Sequence, residues 1–177
     1  PGTERHAAVC DLYEKGISLS GMSKSFSLAG LRIGWLATSD REILSEAACF
    51  KDYTTICNSA PSEILALMGL RAKERIVSDN LERIKDNLDL LDDFFETHEA
   101  VFEWKRPRAG SVAFPGLKLK KGASSFCSDL LADKGVLLLP SRVYGKDWQS
   151  ENVRIGFGRR HMSEGLERLN AYIRENL

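Results

Sequence analysis

One stretch of this 177-residue chain concentrates residue types that do chemistry: Ser20-Gly21-Met22-Ser23-Lys24-Ser25-Phe26-Ser27-Leu28-Ala29-Gly30-Leu31-Arg32-Ile33-Gly34-Trp35. It holds one lysine, Lys24, among small and hydroxylated side chains, with Arg32 eight residues on. The small residues let a backbone approach a bound group closely. An amine enclosed by such a turn sheds water, which favours its neutral, nucleophilic form. Arginine offers a planar, permanently charged fork that suits phosphate. A nucleophilic lysine beside a phosphate clamp points to a Schiff base with a phosphorylated aldehyde. The bland alternative is a surface lysine in a glycine-rich β-hairpin turn.

These groups need elements to position them. A β-type run, Gly16 to Ser20, leads into the lysine turn, and a second, Leu31 to Ala37, leads out of it. Upstream, Pro1 to Tyr13 reads as a loop with a short helical piece around Ala7 to Glu14. Ser39-Asp40-Arg41-Glu42 is a capping-box pattern with Ser39 at the cap, opening a helix to about Thr55. Ile43, Leu44, Ala47 and Phe50 form its inner face. Pro61 restarts a helix. From Ala72 to about Thr97, apolar residues return at three- and four-residue steps, which suits a helical spine linking two lobes better than a coiled-coil arm. Beyond Ala100 come strands at Val101 to Lys105 and Ser111 to Leu119, then a helix from Ser124 to Asp133 capped by Gly135. A buried strand, Val136 to Leu139, stops at Pro140, and a polar loop, Ser141 to Asn152, follows. The chain closes with a strand, Val153 to Gly158, and an amphipathic helix, Met162 to Asn176. This order describes a small α+β domain with a mainly antiparallel sheet.

Composition excludes several classes of partner. Twenty-five basic and 25 acidic residues cancel, so no bulk field draws the chain to nucleic acid or an anionic membrane. No apolar run reaches a transmembrane length, and the N-terminus lacks a signal-peptide pattern, so a cytoplasmic protein is expected. Cys10, Cys49, Cys57 and Cys127 form no Cys-x-x-Cys pair, and His6, His98 and His161 lack metal-ligand spacing. Reduced thiols and no metal site are expected.

Ser-Lys-x-Phe followed by Leu-x-Gly-Leu-Arg-x-Gly-Trp resembles the cofactor-lysine signature of class I/II aminotransferases, which are fold-type-I, pyridoxal-5'-phosphate-dependent enzymes. The resemblance implies an α/β chain comprising the C-terminal part of that fold. Residues 1–60 would close the large cofactor-binding domain, 61–98 would link, and 99–177 would form the small C-terminal domain. It implies that Lys24 holds pyridoxal phosphate as a Schiff base and moves the substrate Cα proton, and that Arg32, with Ser20 and Ser23, holds the phosphate. Many relatives carry serine or threonine where this chain has Gly21.

Asn152-Val153-Arg154-Ile155-Gly156-Phe157-Gly158 resembles the family segment whose arginine binds the substrate α-carboxylate, a role suited to a bidentate fork. Arg159 and Arg160 read as surface charges. Leu139-Pro140-Ser141-Arg142-Val143-Tyr144-Gly145 resembles the family loop Leu-Pro-Gly-Ser-x-Phe-Gly, with Ser141 in place of glycine and Arg142 in place of a small residue. Ala109 to Phe114 resembles a strand at the edge of the substrate cleft, and Tyr53 reads as a residue of helical core or interface packing. The implied reaction transfers an amino group between an amino acid and a 2-oxo acid, in a homodimer. The family's N-terminal cofactor groups find no counterpart here, so the isolated chain is expected to turn over little. A lyase or synthase of the same fold, or a helical interaction module without activity, are the alternatives.

Overall fold

The structure is a computed structural model and describes residues 6–145 and 150–177; residues 1–5 and 146–149, at the edges of the expected N-terminal loop and within the expected polar loop, lie outside it. The chain forms two compact units whose division falls between Leu81 and Glu82, inside the longest helix.

The first unit opens with helix α1 (Val9–Leu12), followed by strands β1 (Ser18–Gly21) and β2 (Gly34–Ala37). The strands pair antiparallel from Ser18↔Ala37 to Gly21↔Gly34. Helices α2 (Arg41–Thr54) and α3 (Ala60–Arg71) follow, and α4 (Lys73–Thr97) begins after a break at Ala72. Asp40, not Ser39, caps α2: its carboxylate accepts from the backbone N–H of Glu42 at 2.9 Å and of Ile43 at 3.2 Å. An acidic cap also complements the positive end of the helix dipole. A two-stranded sheet has two open faces and two open edges, so it buries little. Leu19 stays 79% exposed, and on α2 Phe50 is 70% and Tyr53 92% exposed. The expected inner face of α2 is therefore only half realised: Ile43 and Ala47 are half-buried, Leu44 and Phe50 exposed. Tyr53 packs in no core of this unit.

The second unit holds the main core. The rest of α4 supplies Leu88, Leu91, Phe94 and Phe95. Strands β3 (Phe102–Glu103) and β5 (Gly116–Leu117) pair with each other. Strands β4 (Val112–Ala113), β7 (Val153–Gly156) and β6 (Leu139–Pro140) form an antiparallel sheet with β7 central. Helices α5 (Gly122–Lys134) and α6 (Met162–Asn176) contribute Phe126, Leu130, Leu169 and Tyr172 to the same core. Phe102 meets Phe126 edge to face at a centroid distance of 5.8 Å, and Phe126 meets Tyr172 at 5.6 Å, the offset geometry that ring quadrupoles prefer. Gly135 ends α5 in the left-handed conformation, φ +66°, as expected of a glycine cap.

The strands are shorter than the β-type runs that announce them. Pro115 splits the run from Ser111 to Leu119 into β4 and β5, because proline offers no N–H to a ladder. Pro140 does not stop the strand before it: it pairs with Val153 at the sheet edge, where a missing donor is tolerated. Of the run Val136 to Leu139, Leu138 is buried but Leu137 is exposed. No described helix is long and apolar enough to cross a membrane.

Candidate active site

Lys24 and Arg32 occupy the loop that joins β1 to β2, and the strand pairing dictates how that loop begins and ends. Gly21 and Gly34 face each other at the last rung. A Cβ on Gly21 would lie 2.9 Å from the carbonyl oxygen of Ile33, and one on Gly34 would lie 2.9 Å from that of Ser20. Only glycine fits without shifting backbone, so Gly21 stands where it does because the strands approach closely. Met22 N–H donates to Ile33 at 3.0 Å, and Leu28 N–H donates back to Met22 at 2.9 Å. Within this ring, Ser27 N–H donates to the Lys24 carbonyl at 2.9 Å, closing a turn around the lysine. A 3-10 turn, Ala29–Leu31, delivers Arg32 in the left-handed region, φ +55°. For a residue with a side chain that conformation costs about 1–2 kcal/mol. The guanidinium Nη1 donates to the Ala29 carbonyl at 3.1 Å, which fixes its direction.

Two anchors hold the loop from outside, and neither was legible in the motif. Met22, fully buried, packs against α3 where Gly69 leaves room: a Cβ there would sit 2.8 Å from Met22 Cε and 2.9 Å from Leu28 Cδ1. Asn80, near the start of α4, donates its amide to the Ser25 carbonyl at 3.0 Å. The signal for the first anchor was a glycine inside an apolar helix; for the second there was none.

Ser20, Ser23, Lys24 and Arg32 are thus gathered on one strand–loop–strand segment. Lys24 and Arg32 are exposed and have no carboxylate within ion-pair distance among the described residues. The hydroxyls of Ser20 and Ser23 make no side-chain hydrogen bond among the described residues. Two cations without carboxylate partners among the described residues, Arg32 keeping donors beyond the Nη1 bond to Ala29, form with two hydroxyls a donor set that fits a phosphorylated aldehyde. The enclosure expected of the lysine is absent from this unit: Lys24 is open to solvent, because a two-stranded sheet covers too little around it.

The second unit carries Arg154, placed on the central strand β7 between buried Val153 and Ile155. Alternation along the strand turns it away from the core. Its Nη1 donates to the Tyr144 hydroxyl at 2.7 Å, and the guanidinium carbon lies 5.8 Å from the centre of the Tyr144 ring. Phe114 meets that ring edge to face, with centroids 5.3 Å apart. No carboxylate pairs with Arg154 among the described residues, and it lines a cleft of about 310 Å³ together with Leu139, His161, Met162 and Leu166. Ser141, the departure from glycine, is buried and tied: it donates to the Ser150 carbonyl at 2.7 Å and accepts from Asn152 N–H at 3.4 Å. Arg142, Arg159 and Arg160 are exposed. Asn87 of α4, buried, donates to the carbonyls of Phe157 at 2.8 Å and Arg159 at 2.7 Å, clamping the chain just beyond β7. The loop motif includes Tyr144 at its aromatic position but not its bond to Arg154, and nothing in the sequence marks Asn87.

Comparison with known proteins gives this arrangement a family. A PLP-dependent aminotransferase of known structure from Streptococcus suis 89-1591 is 30% identical and superposes with a TM-score of 0.84 over 93% of this chain and 43% of its own. The PLP-dependent cyclase OrfR is 27% identical, with a TM-score of 0.80 over 91% of this chain and 44% of its own. Capreomycidine synthase of Streptomyces vinaceus is 29% identical over 86% of this chain and 39% of its own length. The chain therefore spans less than half the length of these relatives. The fold is that of the fold-type-I enzymes. Residues 2–173 match the family described as Aminotransferase class I and II, and the chain belongs to that family.

Proposed function

We propose that this chain supplies the lysine half of a pyridoxal-phosphate-dependent aminotransferase, which moves an amino group from an amino acid to a 2-oxo acid. The observation that carries the reading is the loop between β1 and β2, where Lys24 and Arg32 have no carboxylate partner among the described residues and share one segment with the hydroxyls of Ser20 and Ser23. Pyridoxal phosphate, when bound, supplies an aldehyde to attach an amine and a ring that accepts electrons from the carbon next to it. Arg32 holds the phosphate through its fork, and Ser20 and Ser23 donate hydroxyl protons to it. Lys24 supplies the anchoring amine; when free, its Nζ takes the proton from the substrate Cα and returns it at the product stage. Arg154 receives the substrate α-carboxylate, which fixes the direction of the Cα–H bond. The exposed apolar side chains of the first unit support the homodimer expected from the resemblance.

The test is amine transfer by the whole gene product, followed as ¹⁵N moving from a labelled amino acid to 2-oxoglutarate. Wild-type protein transfers the label, Lys24→Ala does not, and Arg154→Leu needs far more amino acid. Transfer undiminished in Lys24→Ala would sink the reading.

A second reading is favoured by two of the relatives, one a synthase and one a cyclase. A lyase, synthase or cyclase would use the same lysine and arginine, but would release a rearranged or ring-closed product and leave 2-oxoglutarate unlabelled.

A further inference from the structure

The carboxylate site assigned to Arg154 contains a hydroxyl that neither the motif nor the reaction calls for, that of Tyr144, which stands at the motif's phenylalanine position. The Tyr144 hydroxyl accepts a hydrogen bond from Arg154 Nη1 at 2.7 Å, the tyrosine ring stands 5.8 Å from the guanidinium carbon, and Phe114 backs the ring edge to face. Phe114 itself lies between β4 and Pro115, and its carbonyl accepts from the Asn152 side-chain amide at 3.0 Å, so the backing comes from a tied segment. Tyr144 is held in turn: its backbone N–H donates to the Ser141 carbonyl at 2.9 Å, and Ser141 is buried and bonded to both sides of the loop. The result is a chain of contacts from the sheet, through Phe114 and Tyr144, to one corner of the guanidinium.

A free arginine side chain samples many rotamers and forfeits that freedom when it grips a ligand. Tyr144 removes part of this loss in advance. By engaging Nη1 it also decides which side of the fork is occupied by protein and which remains open. The second terminal nitrogen, Nη2, and Nε have no protein partner among the described residues, and together they form the edge that takes a carboxylate side-on. We propose that Tyr144 is a positioning residue that acts through Arg154, orienting the guanidinium so that its Nε–Nη2 edge faces the substrate carboxylate. This rests on the reading of Arg154 given above. Its consequence is selective: the tyrosine hydroxyl strengthens binding of ligands with a carboxylate and leaves the apolar part of the same ligand untouched.

The test is a double-mutant cycle in the whole gene product with its cofactor, using Tyr144→Phe, Arg154→Leu and the pair. Tyr144→Phe keeps the ring, its contact with Phe114 and its cation–π geometry, and deletes only the hydroxyl. Dissociation constants are measured by ligand-observed NMR for 3-phenylpropionate and, as the uncharged control, 3-phenylpropan-1-ol; KM and kcat are measured for the amino acid. We expect Tyr144→Phe to weaken 3-phenylpropionate by about fivefold, as for one partly exposed hydrogen bond to a charged group. Arg154→Leu should weaken it by more than about tenfold, and the double variant should bind as Arg154→Leu alone does, because a residue that acts through another adds nothing once that partner is gone. The alcohol should bind all four proteins alike, and the loss in Tyr144→Phe should fall on KM and not on kcat. Unchanged 3-phenylpropionate binding in Tyr144→Phe, with Arg154→Leu impaired, overturns the inference and leaves the arginine reading standing. Additive losses in the double variant also overturn it, since the hydroxyl would then act independently of Arg154. Unchanged binding in Arg154→Leu removes the arginine reading and this inference together.

Discussion

Asn87 offers a sharp test of how the second unit holds the strand that carries Arg154. Its side chain is buried, and its amide nitrogen donates to two carbonyls beyond β7, Phe157 at 2.8 Å and Arg159 at 2.7 Å. Replacement by alanine deletes two hydrogen bonds, each contributing roughly 1 kcal/mol net, and leaves carbonyl oxygens unpaired in a largely buried place; about 2–4 kcal/mol of stability should be lost. Replacement by aspartate keeps the shape but turns the donor into an acceptor. At neutral pH a carboxylate would face two carbonyl oxygens with no proton to offer, so Asn87→Asp should be less stable than Asn87→Ala by a further 1–2 kcal/mol or so. The pH dependence has a definite sign. Burial against acceptors raises the folded-state pKa of the introduced carboxyl above its unfolded value of about 3.9. Its favourable contribution is therefore complete below the unfolded pKa and is lost as pH rises through the folded pKa. Urea unfolding of both variants at pH 7 and near pH 4 reads the effect as a gap between their midpoints that narrows or reverses in acid, where the protonated acid donates once. If Asn87→Asp were as stable as Asn87→Ala at pH 7, the clamp would not work by donation and the reasoning would be wrong.

Other outcomes follow from the same structure. Burial pushes the Cys127 thiol up to about 11, so in the native protein a maleimide at pH 7 should label exposed Cys49 and Cys57 and spare Cys127 until the chain is unfolded. Gly21→Ala should destabilise the first unit by about 1–3 kcal/mol through the Ile33 carbonyl, whereas Gly30→Ala, whose Cβ would meet nothing within 4 Å, should be close to neutral in thermal unfolding. Ser141→Gly should speed hydrogen exchange at the Asn152 amide, because the hydroxyl that accepts from it and ties Ser150 is lost.

The chemistry-bearing segment was the most legible part of the chain, for a physical reason. A lysine and an arginine in one glycine-rich turn between two strands constrain residue type at many positions at once, so the strand–loop–strand that carries Ser20, Ser23, Lys24 and Arg32 is readable from residue types. Helix α6 was equally plain, since its apolar stripe has a core to face. The stripe on α2 was misleading in its outcome: Leu44 and Phe50 mark an apolar face, but a pattern does not say whether the same chain covers it, and here they remain exposed. The cap of α2 fell to Asp40 because a carboxylate at that position reaches two backbone N–H groups, a choice that the neighbouring serine concealed. Asn87 was invisible because one polar residue among the many charges of α4 looks like a solvated position until the turn beyond β7 is laid against it. Tyr144 reads from the motif only as an aromatic, because its hydroxyl acquires meaning only once β7 brings Arg154 within reach. Met22 and Gly69 are each ordinary alone; their fit emerges only when α3 packs on the loop.

On this reading Lys24 is the residue that carries the cofactor. Incubation of the whole gene product with pyridoxal phosphate, reduction with borohydride and peptide mass spectrometry tests it most directly, since reduction fixes the cofactor to whichever nitrogen holds it. Near-stoichiometric label is expected on Lys24, with weakened retention in Arg32→Leu and none at that peptide in Lys24→Ala. Label scattered over the other lysines, with Lys24 no more modified than they are, would contradict it.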